Sequence, residues 1–183
     1  MSKVAILLGP DFEDSEFSVP RDALVDAGHD AVVVGPEKGK ELTGKRGDVT
    51  FRADVGIADV DPEDFDAVVI PGGYSPDKLR TDERFVDFVS QATQRQTPIF
   101  AVCHAPSLLI EADVVRGKTM TSWPSIRTDL ENAGANWVDQ QVVRDAPFTT
   151  SRNPDDLPAF SKALLDELGA SRGAQRETAA NRS

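Results

Sequence analysis

The sequence predicts an α/β fold in which helices cover both faces of a mainly parallel, doubly wound sheet. Four apolar runs, "VAILL", "AVVVG", "DAVVI" and "PIFAV", are nearly continuous rather than alternating, which is typical of strands buried on both faces. Segments with helical spacing of apolar residues separate the first run from the second and the third from the fourth. Strands and helices that alternate in this way form right-handed βαβ units.

The first predicted helix lies in "SEFSVPRDALVDAGH", where Pro20 either starts or interrupts it and Gly28 ends it. His29 follows in a polar turn and is predicted at the surface. The segment "TDERFVDFVSQATQRQ" predicts a further helix with Thr81 as its N-cap.

Residues 36–60 are rich in glycine and charge, and their short "DVTF" segment predicts a hairpin or an edge excursion. A helix in "APSLLIEADVV", a strand in "GKTMTSW" and a helix in "PSIRTDLENAG" are expected next. "NWVDQQVVRDAPFTTS" predicts a short antiparallel addition, and Asn153 caps the final helix. We therefore expect one domain over residues 1–168 and a disordered tail over 169–183, which has no apolar face.

The composition of the chain bears on which partners and which cellular compartment we expect. The net charge is −11, with 31 acidic against 20 basic side chains, and an acidic surface repels phosphate backbones, so we expect no nucleic-acid partner. We expect no membrane span, because no apolar stretch approaches eighteen residues. The N-terminal segment does not resemble a signal peptide, and one cysteine forms no intramolecular disulfide. These features favour a cytoplasmic protein.

The balance of charged residues also bears on the source of the protein. Heavy use of Asp with little Lys is typical of proteins from a high-salt cytoplasm, where salt screens self-repulsion. A halophilic source is one interpretation, and an ordinary acidic soluble protein is the other.

Three loops that leave the carboxyl ends of predicted strands carry unusual chemistry. "GPDFEDSE" contains Glu13 and Glu16, "PGGYSPD" contains Gly72 and Gly73, and the fourth apolar run leads directly to Cys103. Because the carboxyl ends of parallel strands share one edge, where ligands bind, we expect acid, glycine turn and thiol to meet there.

Cys103 is followed at once by His104 and by a predicted helix. A thiol at a helix N-terminus faces the positive end of the macrodipole, which predicts a lowered pKa and a reactive thiolate. The backbone N–H groups of Gly73 and His104 are expected to face a developing oxyanion. The alternative is that Cys103 is a small buried hydrophobe.

The segments "FEDSE", "VIPGGYSPD" and "AVCHAP" resemble the PfpI family of intracellular cysteine peptidases. The superfamily of that family also holds the parkinsonism-associated deglycase and the cofactor-independent glyoxalases. The resemblance covers about residues 3–168 and includes "TGKRG" and "TTSRNPDDLPAF" in the same order. It implies a flavodoxin-like αβα sandwich of the class I glutamine amidotransferase type that needs no cofactor. An amidotransferase itself is excluded because no histidine follows His104, and two histidines with one cysteine supply too few ligands for zinc.

The resemblance implies roles for individual residues. Cys103 corresponds to the nucleophile, Glu16 to the acid that hydrogen-bonds its thiolate, and His104 to the proposed base. Asp77, shorter than the family's Glu, corresponds to an acid that completes the triad of a neighbouring subunit, which implies a dimer, trimer or hexamer. Trp123 stands where the peptidases usually have Tyr.

Around the predicted triad, Gly72, Gly73, Glu13 and Trp123 are candidate oxyanion or substrate residues. Three functions remain open: a cysteine enzyme acting on small reactive carbonyls in stress protection, an intracellular cysteine peptidase acting on peptides, and a non-enzymatic redox sensor or chaperone.

Overall fold

The computed structural model describes the backbone of residues 1–180 and the side chains of residues 1–170. In that part of the chain the strands are β1 (Lys3–Leu7), β2 (Asp30–Gly35), β3 (Glu41–Thr43), β4 (Thr50–Arg52), β5 (Val55–Gly56), β6 (Ala67–Ile70), β7 (Ile99–Val102), β8 (Thr119–Met120), β9 (Asn136–Trp137), β10 (Val143–Asp145) and β11 (Phe148–Ser151). The α-helices are α1 (Asp14–Asp26), α2 (Ser75–Leu79), α3 (Glu83–Gln94), α4 (Pro106–Glu111), α5 (Arg127–Asn132) and α6 (Leu157–Ala180).

The main sheet has the strand order β10-β11-β7-β6-β1-β2-β5 within the described residues. All neighbouring strands in it are parallel except β10 and β11. The four apolar runs form β1, β2, β6 and β7, and Ile6 of β1 lies between Val33 and Val69 of its two neighbours. The predicted fold class, a mainly parallel doubly wound sheet, is confirmed.

Successive side chains of β1 enter two different cores. Ala5 and Leu7 pack with apolar residues of α2, α3, α4 and α5 on one face, whereas Val4 and Ile6 pack with residues of α1 and α6 on the other. Both faces of the sheet are therefore buried, which explains why its central strands lack polar alternation.

Three local predictions were wrong. α1 runs from Asp14 to Asp26 without a break at Pro20. The N-cap of α3 is Asp82 rather than Thr81, and its carboxylate accepts the Arg84 N–H at 3.1 Å. His29 is buried, with Nδ1 accepting the Ser2 N–H at 3.2 Å, because the N-terminal end of β1 packs against its turn.

The hairpin predicted within residues 36–60 is present as the antiparallel pair β3 and β4. The antiparallel addition predicted near the C-terminus is present only in part: β10 pairs antiparallel with β11, but β11 is parallel to β7 and β9 is parallel to β8. β11 is fully buried although three of its four residues are polar. Thr150 Oγ1 accepts the Thr121 N–H at 2.9 Å, and Ser151 Oγ donates to the Gln141 carbonyl at 2.7 Å.

The last helix begins after a 3₁₀ turn that Asn153 caps by accepting the Asp155 N–H at 3.0 Å. The backbone of α6 is helical as far as Ala180, so it extends into the segment predicted to be disordered. The side chains after 170 and residues 181–183 lie outside the described part of the chain, and the domain boundary at 168 stays a prediction. Among the described residues, no helix combines the length and apolar character that membrane crossing requires.

Candidate active site

Cys103 occupies a strained turn at the carboxyl end of β7. Its φ angle is +63°, in the left-handed region that non-glycine residues rarely adopt. Two backbone bonds hold it there: the Cys103 N–H donates to Ser151 O at 3.0 Å, and Cys103 O accepts the Trp123 N–H at 2.9 Å. Such strain persists where the surroundings over-determine the conformation, and here β11 and the loop after β8 both fix the turn.

The sulfur of Cys103 faces a cavity of about 340 Å³, although the residue is only 8% exposed. Burial and the neighbouring Glu16 raise the pKa of the thiol, and they outweigh the backbone N–H groups of His104 and Gly73, which hydrogen-bond the sulfur and lower that pKa. The predicted lowered pKa was therefore wrong for the resting thiol. α4 begins three residues later at Pro106 and spans six residues, so its dipole contributes little at the sulfur.

Glu16 is completely buried in the first turn of α1 beside the thiol. Its Oε2 accepts the Gly72 N–H at 2.9 Å, whereas Oε1 meets no N or O donor among the described residues. Burial raises the pKa of Glu16 to about 7, against the opposing effect of its hydrogen bond to Cys103. An unsatisfied buried carboxylate is costly, so near neutral pH the carboxyl holds its proton about half the time. Glu16 is thus able both to give a proton to the sulfur and to take one back.

Neighbouring atoms lie so close to Gly72 and Gly73 that neither position has room for a side chain. A Cβ on Gly72 would lie 2.3 Å from Glu16 Oε2 and 2.8 Å from Cys103 Cβ. Gly73 has a φ angle of +76° and forms an isolated bridge with Phe12, and a Cβ there would lie 2.4 Å from Glu13 N. The N–H of Gly72 is used by Glu16, so Gly73 rather than Gly72 has an N–H directed at the sulfur.

His104 lies between the nucleophile and a hydroxyl. Its Nδ1 is 3.3 Å from Cys103 Sγ, and its Nε2 is 3.1 Å from Ser125 Oγ. Burial and the charge of Lys45 lower the pKa of His104, and the charge of Asp77 opposes this effect. The imidazole is therefore neutral at pH 7 and able to accept the thiol proton.

Asp77 is exposed in α2 and does not line the cavity. Its carboxylate forms no hydrogen bond or ion pair within the described residues, and it acts on His104 only through charge. One subunit thus brings together Cys103, His104 and Glu16, but not the predicted acid of the triad. A role of Asp77 in a neighbouring subunit stays a prediction.

The cavity also contains two cations for which the sequence suggested no role. Lys45 Nζ lies 2.5 Å from Glu13 Oε2, and Arg46 Nε lies 3.5 Å from Glu13 Oε1. The buried carboxylate of Asp14 accepts the N–H groups of Arg46 and Val49, which anchors the β3–β4 hairpin against α1. The "TGKRG" segment was the available signal, but spacing alone does not reveal that a hairpin folds over the site.

Aromatic side chains flank the opening of the cavity. Tyr74 and Trp123 both line it and are 66% and 40% exposed, and the Trp123 ring stacks on His104 with centroids 6.3 Å apart. Pro154 completes this wall. Trp123 therefore lines the cavity, and its role toward a substrate stays a prediction. Tyr74 was missed because a tyrosine in a glycine-rich turn gives no periodic signal.

The described residues contain no cluster of three or more His, Cys, Asp or Glu side chains suited to hold a metal ion. The side chains that line the cavity include a thiol, a carboxyl of near-neutral pKa, a neutral imidazole and two cations. This set is suited to nucleophilic catalysis with proton transfer.

Comparisons with known proteins extend this description. The model of the DJ-1/PfpI family matches residues 2–167. Protein/nucleic acid deglycase 2 of Escherichia coli is 47% identical over 169 residues, which cover 92% of this chain and 98% of that protein. General stress protein 18 of Bacillus subtilis is 48% identical over 164 residues, covering 89% and 95% of the two chains. "Putative cysteine protease YraA" of the same organism is 46% identical over 166 residues, covering 91% and 98%.

Solved structures agree with the fold. Drosophila melanogaster DJ-1beta superposes with a TM-score of 0.85 at 33% identity, covering 92% of this chain and 91% of that one. A two-domain protein from Anabaena variabilis with DJ-1/ThiJ/PfpI-like and ferritin-like domains gives a TM-score of 0.91 at 43% identity. The match covers 92% of this chain and 48% of that protein.

Proposed function

This chain belongs to the DJ-1/PfpI family, and we propose that it is a cofactor-independent cysteine enzyme acting on small reactive carbonyls, such as methylglyoxal and its adducts. The observation that carries the proposal is the buried Glu16 carboxyl, with a pKa of about 7, against the Cys103 thiol. Aldehyde conversion needs an acid and a base at the reacting carbon, and one group that titrates near neutrality serves both purposes. The deglycase name of one relative supports the carbonyl class, and the stress-protein name of another supports a role in stress protection.

The reaction begins with activation of the thiol. His104 Nδ1, 3.3 Å from Sγ, takes the thiol proton, and the electron pair of the S–H bond stays on sulfur. The N–H groups of Gly73 and His104 hydrogen-bond the thiolate, and in this mechanism Glu16 donates to it while protonated. The thiolate adds to the aldehyde carbon, a C–S bond forms, and the carbonyl oxygen receives the imidazolium proton to give a hemithioacetal.

The next steps redistribute hydrogen within the substrate. Once sulfur is bonded to carbon, Glu16 releases its proton to solvent, and its carboxylate removes the proton from the former aldehyde carbon. Glu16 then returns this proton to the adjacent ketone carbon, while the hydroxyl proton of the first carbon moves to the ketone oxygen. The first carbon is thereby oxidised to a thioester and the second is reduced to a secondary alcohol, so no external oxidant is needed. Water then cleaves the C–S bond, and a 2-hydroxy acid leaves with regeneration of the Cys103 thiol. The net change is the addition of one water molecule.

Peptidase action is the second candidate, and the name of one relative favours it. It requires a peptide carbonyl to reach a sulfur that is 8% exposed. The cavity, at about 340 Å³, is at the small end of the range for ligand pockets, about 300–1,000 Å³, and suits a small aldehyde better than a peptide backbone.

We also propose that the protein acts as a homo-oligomer in the cytoplasm. In this proposal Asp77, exposed at the start of α2, approaches His104 of a neighbouring subunit and supplies the acid that one subunit does not bring to the site. The exposed Tyr74 next to α2 extends the surface available for such a contact. The lone cysteine suits a reducing compartment.

The deciding experiment gives methylglyoxal and, separately, a fluorogenic peptide to the wild type and to Cys103→Ala. Lactate formed by the wild type and not by the variant supports the proposal. Cleavage of the peptide without lactate supports the peptidase. If neither product forms, while mild peroxide converts Cys103 to sulfinic acid by mass spectrometry, the redox-sensor or chaperone alternative replaces both enzyme functions.

A further inference from the structure

The turn that carries Ser125 is docked onto the Cys103–His104 turn by three contacts. The Trp123 N–H donates to Cys103 O at 2.9 Å, the Trp123 ring stacks on the imidazole, and Ser125 Oγ lies 3.1 Å from His104 Nε2. Ser125 belongs to a 3₁₀ turn, Pro124–Ile126, whose N-cap is Trp123. The backbone bond sets the register between the two turns, so the serine hydroxyl lies opposite Nε2 as a consequence of the fold.

We propose that Ser125 is a positioning residue that holds neutral His104 as the Nε2–H tautomer and leaves Nδ1 free to accept the Cys103 proton. The inference rests on the proposed function in one respect, that His104 is the proton acceptor of the nucleophile. It assigns the orientation of the ring to a hydroxyl of the same chain, whereas Asp77 of a neighbouring subunit, as proposed above, acts on His104 as the acid of the triad through its charge.

The direction of the hydrogen bonds follows from the neighbours of the ring. With Glu16 ionised, the thiol donates to its carboxylate, which raises the pKa of the thiol and lowers that of Glu16. With Glu16 protonated, the carboxyl donates to the sulfur, the thiol donates to Nδ1, and Nε2–H donates to Ser125 Oγ. The group that orients a histidine on one nitrogen determines which tautomer the other nitrogen presents. After proton transfer the same hydroxyl accepts from the imidazolium, so it favours the charged intermediate as well.

The other charged groups acting on the ring do not fix its tautomer. Lys45 of the β3–β4 hairpin and Asp77 of α2 change the pKa of His104 through charge, but neither is hydrogen-bonded to a ring nitrogen. Trp123 limits rotation of the ring by stacking, yet an aromatic face does not distinguish Nδ1 from Nε2. Within the described residues, Ser125 is the group placed to make that distinction.

The test uses ¹⁵N-labelled protein and long-range ¹H–¹⁵N correlation spectra, which distinguish histidine tautomers. The chain has two histidines, so His104→Asn identifies the His104 signals by their loss. We expect Nε2–H in the wild type, a mixture of tautomers with a lower His104 pKa in Ser125→Ala, and the wild-type pattern in Ser125→Thr. Thr128→Ala, three residues along on the exposed side of α5, is the matched control and should leave the His104 signals unchanged.

A second readout is the rate at which iodoacetamide alkylates the only cysteine of the chain. If Ser125 contributes one hydrogen bond of ordinary strength, the alkylation rate should fall by about threefold to tenfold in Ser125→Ala. The rate should return to the wild-type value in Ser125→Thr. With methylglyoxal, Ser125→Ala should lower kcat and leave KM nearly unchanged.

An Nδ1–H tautomer in the wild type, or spectra and alkylation rates that do not differ between Ser125→Ala and wild type, would overturn the inference. Both readouts work without turnover. A protein inert toward aldehydes but with the expected tautomer contradicts the proposed function and leaves the role of Ser125 intact.

Discussion

Glu16 and Gly72 are joined by a buried hydrogen bond, in which the Gly72 N–H donates to Glu16 Oε2 at 2.9 Å across 56 positions of sequence. The bond fixes the carboxyl beside the Cys103 sulfur while leaving its second oxygen without an N or O donor in the described part of the chain. The absence of a side chain at position 72 makes this approach possible.

Gly72→Ala should therefore damage the site and the fold together. The added Cβ would lie 2.3 Å from Glu16 Oε2 and 2.8 Å from Cys103 Cβ, so one of these groups must move. We expect a loss of about 1–3 kcal/mol in the free energy of unfolding and at least a tenfold fall in the alkylation rate of Cys103. Urea unfolding and iodoacetamide kinetics measure the two effects.

Gly169→Ala is the control for this substitution, because a Cβ there meets no atom within 4 Å. It lies in a helix and should be neutral or stabilising by up to about 1 kcal/mol. A Gly72→Ala variant that matched this control in both measurements would show that the glycine is not needed for close approach.

The stability of the wild type should fall as the pH rises through the titration of Glu16. Its pKa is about 7 in the folded protein against an ordinary value of 4.5, so the folded state binds the proton more tightly than the unfolded state. The contribution of protonated Glu16 to the free energy of unfolding is fully present below pH 4.5. About 3 kcal/mol of it is lost as the pH rises to 7.

Glu16→Gln removes this titration while keeping an oxygen for the Gly72 N–H. We expect the variant to gain stability relative to wild type between pH 5 and pH 8, measured by urea unfolding at both values, and to lose turnover. A difference between variant and wild type that did not change with pH would mean that Glu16 ionises normally in the folded state.

The sequence predicted a strand correctly where the polarity of its residues matches their burial in the fold. The apolar runs of β1, β2, β6 and β7 are buried on both faces, so their composition identified them. β11 was included in the predicted antiparallel addition, but its parallel pairing with β7 was missed because Thr149, Thr150 and Ser151 are polar residues in a buried strand. The Thr150 hydroxyl accepts the Thr121 N–H, and the Ser151 hydroxyl donates to the Gln141 carbonyl. Pairing partners depend on contacts that are distant in sequence, and local composition does not encode them.

In the candidate site, too, some features could be predicted from the sequence and others could not. Strand ends placed Glu16, the glycine pair and Cys103 at one edge because parallel topology alone requires it. The sign of the Cys103 pKa shift was wrong because it depends on burial and on the proximity of Glu16, which are three-dimensional quantities. Lys45, Arg46 and Ser125 reach the site from a hairpin and a turn that have no fixed spacing from the cysteine.

Lys45 should shift the pH at which the thiol becomes reactive. Its charge lowers the pKa of Glu16, so Lys45→Met should raise that pKa and move the midpoint of the pH profile of Cys103 alkylation upward. Lys45→Arg keeps the charge opposite Glu13 and should keep the midpoint near that of the wild type. If the two variants had the same midpoint, the charge of Lys45 would not reach the site, and its ion pair with Glu13 would be purely structural.

Mixing inactive subunits tests the proposed role of Asp77. If the acid acts across a subunit interface, Cys103→Ala and Asp77→Asn subunits, each inactive or weakly active, should regain part of the activity when unfolded and refolded together. The restored site combines Cys103 of one subunit with Asp77 of another. Activity equal to the sum of the separate variants, or full activity of Asp77→Asn alone, would contradict an intersubunit triad.

The charge imbalance predicts how the protein responds to salt. Salt weakens surface ion pairs such as Lys162–Asp166 and Arg127–Glu131, each worth at most about 1 kcal/mol, but it also screens the repulsion among 31 acidic side chains that face 20 basic ones. With a surplus of 11 negative charges, screening should dominate, and the melting temperature should rise as KCl increases to about 1 M, where the Debye length is about 3 Å. A non-electrolyte at the same osmolality is the control, because it changes water activity without screening.

Three outcomes at multimolar KCl separate the interpretations of the charge. A further rise of the melting temperature would favour the halophilic source, and a plateau once screening is complete would favour an ordinary acidic protein. A falling melting temperature would mean that ion pairing outweighs the net charge.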